Sequence, residues 1–168
     1  MRQRIARVVT MMAAAGLAVP AIAALVDKKP PYFASLQAKE VRMRTGPGRT
    51  YPVSWSYVRP GLPVRVIELF KEKGSGAQWR KVEDPDGTQG WMQANLVSES
   101  RAAMVKGEIA ELRDTPRFAG KVNWRAAPGV VGRISKCGNG WCYLDVMGRG
   151  GFVEVSRLWG VDPTETID

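Results

Sequence analysis

The chain carries the same order of short sequence blocks twice, and this internal repeat constrains its fold more than any other feature. Residues 40–47 (EVRMRTGP) resemble residues 109–116 (IAELRDTP), and the same offset of 69 pairs Trp55 with Trp124. Three further blocks continue the match: Pro60–Val66 with Pro128–Ile134, Trp79–Val82 with Trp141–Leu144, and Gly90–Met92 with Gly151–Val153. This shared order indicates two copies of one structural unit in tandem.

Each unit alternates short β-type runs with turn signals. In the first unit the runs are Val53–Val58, Val64–Phe70, Trp79–Val82 and Trp91–Leu96, with Pro-Gly, Gly-Ser and Asp-Pro-Asp-Gly turns between them. With Met43, this pattern predicts about five short strands per unit. Helix-friendly composition is confined to Ser98–Val105, which we interpret as a linker. Because closing a small sheet removes its exposed edges, we predict an all-β fold of two small β-barrels in tandem.

The first residues of the chain have the composition of an export signal. Arginines at positions 2, 4 and 7 precede an uncharged apolar run, and residues 21–23 (Ala-Ile-Ala) match the pattern that signal peptidase accepts. The alternative is an uncleaved anchor, because residues 8–26 approach the roughly 20 residues that span a bilayer. Pro20 and the cleavage pattern favour removal, which leaves no stable membrane span. The predicted organisation is signal peptide 1–23, linker 24–37, first domain 38–98, linker 99–107, second domain 108–161 and tail 162–168.

The chain is basic, with a formal net charge of +9 that falls to +6 if the three arginines of the signal are removed. Acidic and basic residues are interspersed without a long run of like charge, so the excess favours solubility. It also permits an anionic partner. An exported location makes nucleic acid a poor candidate for that partner.

The two cysteines of the chain lie in the segment SKCGNGWCYLD. Its Asn-Gly pair at 139–140 favours a two-residue hairpin turn. Pairing across this turn sets Cys137 opposite Cys142, with Cα atoms about 4.5 Å apart, a spacing that a disulfide accepts. An exported protein also meets an oxidising compartment. We therefore predict a structural disulfide between the two cysteines.

Metal binding and redox chemistry are the alternatives for this cysteine pair. A structural zinc site needs four ligands, and the chain offers two cysteines and no histidine. A redox pair is typically Cys-x-x-Cys at the start of a helix, which differs from the spacing and setting here. We expect neither a metal nor a cofactor.

Four segments resemble bacterial Src homology 3 (SH3)-like domains in their exported tandem form: RMRTGPGRTYPV, RPGLPVRV, WRKVEDPDGTQGWMQANLVS and CGNGWCYLDVMGRGGFVEVSRLWGV. The resemblance covers nearly all of Ser35–Val161. Its most specific parts are the Arg-x-Gly-Pro-Gly segment and the Gly-Trp pair at 90–91. The resemblance implies a non-catalytic binding module of the cell envelope, located in the periplasm, and in some members associated with peptidoglycan.

The charge of one loop distinguishes this chain from the signalling SH3 domains. Those domains bind Pro-rich peptides through an acidic loop, whereas the loop RTGPGRTYP carries Arg44 and Arg49 and no acid. A carboxylate-bearing ligand, such as a wall peptide stem or an acidic protein segment, suits this loop by charge. The resemblance adds further groove candidates: Tyr51, Trp79 and Trp91 in the first unit, and Trp141 and Phe152 in the second. Among them we expect Trp91 and Phe152, which follow glycines on strands, to lie in the core.

Catalysis is not expected. Without histidine, every His-based general base and catalytic triad is excluded. The acidic residues Glu83, Asp84 and Asp86 surround a predicted turn, where solvated acids are ordinary. We therefore assign no catalytic residue and expect that the protein is not an enzyme.

Two functions fit the sequence, and the oligomeric state stays open. The first is a module that binds peptidoglycan, and the second is an adaptor or structural protein that binds another envelope protein. Exposed aromatic residues beside basic ones on one unit would favour the first. A broad apolar patch across both units would favour the second.

Overall fold

The computed structural model describes residues 28–168, which form two all-β units of seven strands each. The first unit contains β1 (Tyr32–Leu36), β2 (Val41–Arg44), β3 (Val53–Tyr57), β4 (Pro63–Lys71), β5 (Gln78–Glu83), β6 (Gln89–Gln93) and β7 (Val97–Ser98). The second contains β8 (Ala102–Val105), β9 (Ala110–Arg113), β10 (Val122–Ala126), β11 (Val131–Gly138), β12 (Trp141–Val146), β13 (Arg149–Glu154) and β14 (Leu158–Trp159). A 3-10 turn precedes the last strand of each unit, at Ala94–Leu96 and Val155–Arg157.

The two sheets have the same topology. The strand order is β3-β2-β6-β5-β4-β1-β7 in the first unit and β10-β9-β13-β12-β11-β8-β14 in the second. All pairings are antiparallel. Adding seven to each strand number in the first order gives the second order. The structure therefore confirms the tandem repeat and the all-β fold.

Each sheet curls around a core of its own, and the cores are mainly aliphatic. Strand alternation turns one set of side chains inward, so Val41 and Met43 of β2 are fully buried while Arg42 between them is exposed. Burial of each large aliphatic side chain contributes about 1.5–3 kcal/mol. The first core includes Val64, Val66, Val82 and Met92, and the second includes Leu112, Ile134, Leu144 and Val153.

Both predicted linkers are wrong, because each contains a strand. β1 lies within residues 24–37, pairs with β4 and β7, and has all five of its residues buried. β8 lies within residues 99–107, the stretch we expected to be helix-friendly, and pairs with β11 and β14. Short strands buried on both faces lack the alternation of polar and apolar residues, so the sequence pattern did not reveal them. Each unit consequently has more strands than expected.

The predicted tail, residues 162–168, packs against the second unit. Arg101 forms a half-buried ion pair with Glu165, and the Ile167 N–H donates to the Cys137 carbonyl at 3.0 Å. Burial acts to raise the pKa of Glu165, but the hydrogen bonds and charge of Arg101 outweigh it and hold that pKa below its usual value. This segment is therefore part of the domain.

The two units pack against each other. Phe33 of β1 meets Trp159 of β14 edge to face, with ring centroids 5.2 Å apart. The Arg59 guanidinium donates to the Gly129 carbonyl at 2.9 Å. Met104 of the second unit packs against the core of the first. Side chains from both units thereby come to lie on one surface.

The predicted signal peptide, residues 1–23, and the alternative anchor at 8–26 lie outside the described residues. Within the range that the structure covers, no helix is long and apolar enough to cross a membrane.

Cys137 and Cys142 form the predicted disulfide, with Cα atoms 4.1 Å apart. The turn residues 139 and 140 have positive φ values of 52° and 80°, as an Asn-Gly hairpin turn requires. Gly138 pairs with Trp141 across the turn, and the register shifts farther along, where β11 carries an extra residue and Lys136 with φ of 50° lies in the resulting bulge. Both cysteines belong to the core of the second unit. The bond is therefore a core contact as well as a crosslink.

Replacing both cysteines with alanine should lower the stability of the second unit. The crosslink closes a short loop, which the chain-entropy model values at about 2 kcal/mol. We expect the melting temperature to fall by about 5–10 °C while the circular dichroism spectrum stays that of a β protein. Thiol titration of the denatured wild-type protein provides the control. Two reactive thiols in the wild type, or an unchanged melting temperature in the variant, would contradict this role.

Asp84 is a buried acid that holds the turn between β5 and β6. Its Oδ1 atom accepts the backbone N–H groups of Asp86 and Thr88 at 3.0 and 2.8 Å. Its Oδ2 atom accepts the Tyr57 hydroxyl at 2.7 Å. Burial raises the pKa of Tyr57 far above its usual value, and the hydrogen bond and charge of Asp84 raise it further. The most buried member of the acidic cluster thus has a structural role.

Tyr57 should make the first unit lose stability at alkaline pH. Because folding raises its pKa, its stabilising effect is complete below the unfolded pKa of about 10 and is lost as the pH rises further. We expect Tyr57→Phe to unfold about 1–2 kcal/mol more easily at neutral pH, since Asp84 loses a buried donor. Urea denaturation between about pH 9 and 11 should then show a shallower decline than in the wild type.

Tyr51→Phe is the matched control for this pH series, because the Tyr51 side chain is exposed. It should retain the wild-type slope. Parallel pH profiles for Tyr57→Phe and the wild type would show that Tyr57 does not titrate differently in the folded state.

Candidate functional site

Trp79 is the central side chain of the candidate site. It lies on β5 opposite Gln93 of β6 and is only 2% exposed. It is a buried hydrophobic residue that lies outside the main cluster of core side chains in its unit. Its indole N–H has no hydrogen-bond partner among the described residues. Because an unpaired buried donor is costly, this N–H would gain by meeting an acceptor on a ligand.

Three arginines and Trp79 line a groove of about 400 Å³ on the first unit. Arg42 and Arg44 reach it from β2, where alternation turns the intervening residue inward. Arg49 reaches it from the loop before β3. Glu40, Gln93 and Leu96 complete the lining. We call this set of seven residues the arginine groove.

The arginine groove carries uncompensated positive charge. Arg42 pairs with Glu40 at 3.1 Å. Arg44 donates to the Tyr51 carbonyl at 2.7 Å, a contact that leaves its charge unneutralised. Arg49 is exposed and makes no hydrogen bond or ion pair within residues 28–168. With three cations against one acid, the groove is chemically suited to an anion.

The second unit has an equivalent groove of about 300 Å³ with a different charge arrangement. Trp141 takes the place of Trp79, and Glu111 stands where the first unit has Arg42. Glu111 pairs with both Arg113 and Arg125. Arg157, also in the lining, pairs with Glu108 at 2.9 Å. Each arginine of this groove is therefore already paired with a carboxylate of the chain itself.

A larger pocket of about 580 Å³ lies on the other side of Trp141. Phe118 meets Trp141 edge to face at 5.3 Å, and Phe33 and Trp159 form a second such pair. We call the cavity lined by these four rings the aromatic pocket. Phe33 belongs to the first unit, so the pocket forms only where the two units meet. The rest of its lining comes from Lys106, Asn139, Gly140, Glu154, Val155, Ser156, Leu158, Gly160, Val161 and Pro163.

The structure brings together three of the residues proposed from sequence, since Arg44, Arg49 and Trp79 share the arginine groove. Trp141 lines both the equivalent groove and the aromatic pocket. Tyr51 is absent from all of these linings. Its ring covers the loop glycine Gly46, where an added Cβ would come within 2.3 Å of the ring.

The expectation that Trp91 and Phe152 lie in the core is wrong. Both are half-buried on the outer face, where Trp91 meets Phe70 and Phe152 meets Tyr143 edge to face. The preceding glycines explain this placement. Gly90 and Gly151 occupy the inward position, where a Cβ would lie within 3 Å of the neighbouring strand. Alternation then turns the next residue outward. Neither aromatic ring lines the grooves or the aromatic pocket.

Sequence reasoning missed Arg42, Phe118 and Trp159. The alternation in Val-Arg-Met-Arg at residues 41–44 is a signal that places Arg42 on the same face as Arg44. Phe118 lies in the loop that corresponds to the arginine-bearing loop of the first unit, and its 70% exposure is visible only in the structure. No sequence pattern indicated a role for Trp159, because that role depends on contact with the other unit.

Within residues 28–168, no group of three His, Cys, Asp or Glu side chains is arranged to hold a metal ion. The arrangement of donors on the first unit instead suits an anionic group of a larger ligand. The Cys137–Cys142 disulfide is compatible with an exported protein.

The family of the chain follows from a match in both units. The family model for the bacterial SH3 domain matches residues 37–99 and again residues 106–160. The chain belongs to the bacterial SH3 domain family. The two matched segments fall on the two sheets, so each unit is one bacterial SH3 domain extended at its start by β1 or β8.

Solved structures that the chain matches include NlpC1 and NlpC2 from Trichomonas vaginalis. The chain is 10% identical to NlpC1, with 79% of this chain and 46% of that chain covered and a TM-score of 0.34. For NlpC2 the identity is 13%, the match covers 80% of this chain and 51% of that chain, and the TM-score is 0.33. For an NlpC/P60 family protein from Bacillus cereus, the identity is 11%, the match covers 76% of this chain and 56% of that chain, and the TM-score is 0.30. The chain spans about half the length of these proteins. No curated protein matches it.

Proposed function

We propose that the protein is an exported, periplasmic, non-catalytic module that binds peptidoglycan through carboxylates of its peptide stems. The observation that carries this proposal is the arginine groove, where Arg49 and the Trp79 N–H both lack partners within the described range. The disulfide and the bacterial SH3 family membership support a role at the cell envelope.

The chemistry of the arginine groove matches a carboxylate. A guanidinium presents paired N–H donors in a planar fork, which fits the two oxygens of a carboxylate. The indole N–H of Trp79 is a further unpaired donor of a lining residue, and it is buried in this structure. Trp79 forms a buried apolar base of the groove, because only 2% of it is exposed. A short peptide with an acidic group can thus pair with the unpaired guanidinium of Arg49.

The two bacterial SH3 domains have unequal parts in this proposal. The first domain keeps free cationic donors, so it is the one that binds the carboxylate. In the second domain, Glu111 already occupies Arg113 and Arg125. An external anion would have to displace this acid, which removes much of the gain from binding. The equivalent groove of the second domain therefore has low affinity for stems.

Arg49→Glu should weaken binding to purified sacculi. Losing a charge-assisted hydrogen bond costs about 1.5–3 kcal/mol, so we expect affinity to fall by roughly tenfold or more. The measurement is co-sedimentation with protein-free sacculi at low and high salt, because screening weakens an exposed charge contact. Arg117→Glu, in the corresponding loop of the second domain, imposes the same change in net charge and should bind like the wild type. Equal binding by both variants and the wild type would remove the arginine groove from the proposal.

Glu111→Gln should create a second anion site. The variant removes the carboxylate that holds Arg113 and Arg125 while keeping the shape of the side chain. We expect calorimetry with purified stem peptides to change from one site per chain to two. Glu108→Gln frees only Arg157 at the edge of the groove and serves as the control. A stoichiometry of two in the wild type would show that the internal ion pairs do not block the second groove.

A second candidate function is an adaptor for another envelope protein, and the edge strand β3 favours it. Val53 and Trp55 are 43% and 59% exposed, and the strand carries no charge. Uncharged edge strands can accept a strand from a partner. Retention of the chain by protein-free sacculi supports the peptidoglycan module. Retention only when envelope proteins remain on the sacculi supports the adaptor.

A further inference from the structure

The aromatic pocket is chemically unlike the arginine groove, although Trp141 and Trp79 hold equivalent positions. Its walls are four aromatic rings that form two edge-to-face pairs, Phe118 with Trp141 and Phe33 with Trp159. Such pairs fix the orientation of each ring, so the walls are already in place before a ligand arrives. A volume of about 580 Å³ is in the range of small-molecule sites.

Polar groups at the edge of the aromatic pocket have unused hydrogen-bonding capacity. Lys106, Asn139, Glu154 and Ser156 all line it. Their side chains make no hydrogen bond or ion pair to other residues in the range 28–168. One cation and one anion leave the pocket formally neutral. The pocket therefore offers flat apolar faces and both donors and acceptors, without a net charge to select an ion.

We propose that the aromatic pocket binds neutral sugar rings of a polysaccharide strand. A pyranose ring has an apolar face of C–H groups that packs on an aromatic ring, and a rim of hydroxyl groups that needs donors and acceptors. This combination matches the four rings and the four polar side chains. A carboxylate-rich peptide suits the pocket less well, because Glu154 repels it and Lys106 is the only cation in the lining.

The inference rests on the proposed function, since a wall polymer has sugar strands as well as peptide stems. It adds a second ligand class at a separate place. The arginine groove lies wholly on the first unit, whereas the aromatic pocket lies on the second unit and includes Phe33 of the first. Peptide and sugar parts of the wall therefore meet different surfaces of the protein.

The test uses a β-1,4-linked tetramer of N-acetylglucosamine, a neutral saccharide that contains no peptide. The full chain is titrated with this tetramer and followed by tryptophan fluorescence and calorimetry. We expect saturable binding in the wild type and a loss of about tenfold or more in Phe118→Ala, which removes one wall of the pocket. Because Phe118 is exposed, the variant should keep its fold, and circular dichroism checks this.

Trp124→Ala is the matched control, because Trp124 is an exposed ring on β10 outside the pocket. It should bind the tetramer like the wild type. Absence of tetramer binding, or equal loss in Phe118→Ala and Trp124→Ala, would overturn the inference. Binding of N-acetyltryptophanamide in place of the tetramer would overturn it in favour of a protein side chain as the occupant.

Failure of this inference and failure of the proposed function give different results. If sacculi bind through Arg49 but the tetramer does not bind, the result supports the peptidoglycan module and contradicts the sugar site. If sacculi do not bind but the tetramer binds in a manner that depends on Phe118, the result supports the sugar site and contradicts the carboxylate function.

Discussion

The close approach of β6 to β2 at Gly90 is the constraint on which the first unit depends. A Cβ atom there would lie 2.5 Å from Cγ of Met43 and 2.9 Å from the carbonyl oxygen of Arg44. Gly151 makes the same approach to β9 in the second unit. The contact joins the β2–β3 hairpin to the remainder of the sheet. It therefore sets the outward-facing arginines of β2 close to Trp79 on β5, and without it there is no groove.

The same backbone carries two different chemistries. Both units keep a tryptophan at the start of the fifth strand and an arginine at the end of the second, namely Arg44 and Arg113. The difference lies in the neighbours of those arginines. In the first unit the three groove arginines face a single acid, whereas Glu111 in the second unit pairs with both Arg113 and Arg125. The two units thus share one topology but differ in the charge pairing of their equivalent grooves.

Local chemistry explains which features could be predicted from sequence. The Asn-Gly turn, the disulfide and the order of the five repeated blocks depend on residues close together in the chain. The β1 and β8 strands were missed because both of their faces are buried, which hides the alternation that marks a strand. Arg44, Arg49 and Trp79 were identified individually, but their meeting in one groove depends on pairings between distant strands. The aromatic pocket needs contact between units, so no local pattern reports it.

If both proposed sites bind one repeating polymer, the packing of Phe33 on Trp159 affects how tightly the protein holds it. Two sites on units in mutual contact are presented at a set spacing, so once one site is occupied the other meets its ligand at high effective concentration. Avidity then depends on whether the spacing between peptide and sugar groups of the polymer matches the spacing of the sites. A mismatched polymer engages one site at a time and is released quickly. The interface between the units thereby makes tight binding depend on the geometry of the ligand, a property that neither unit has alone.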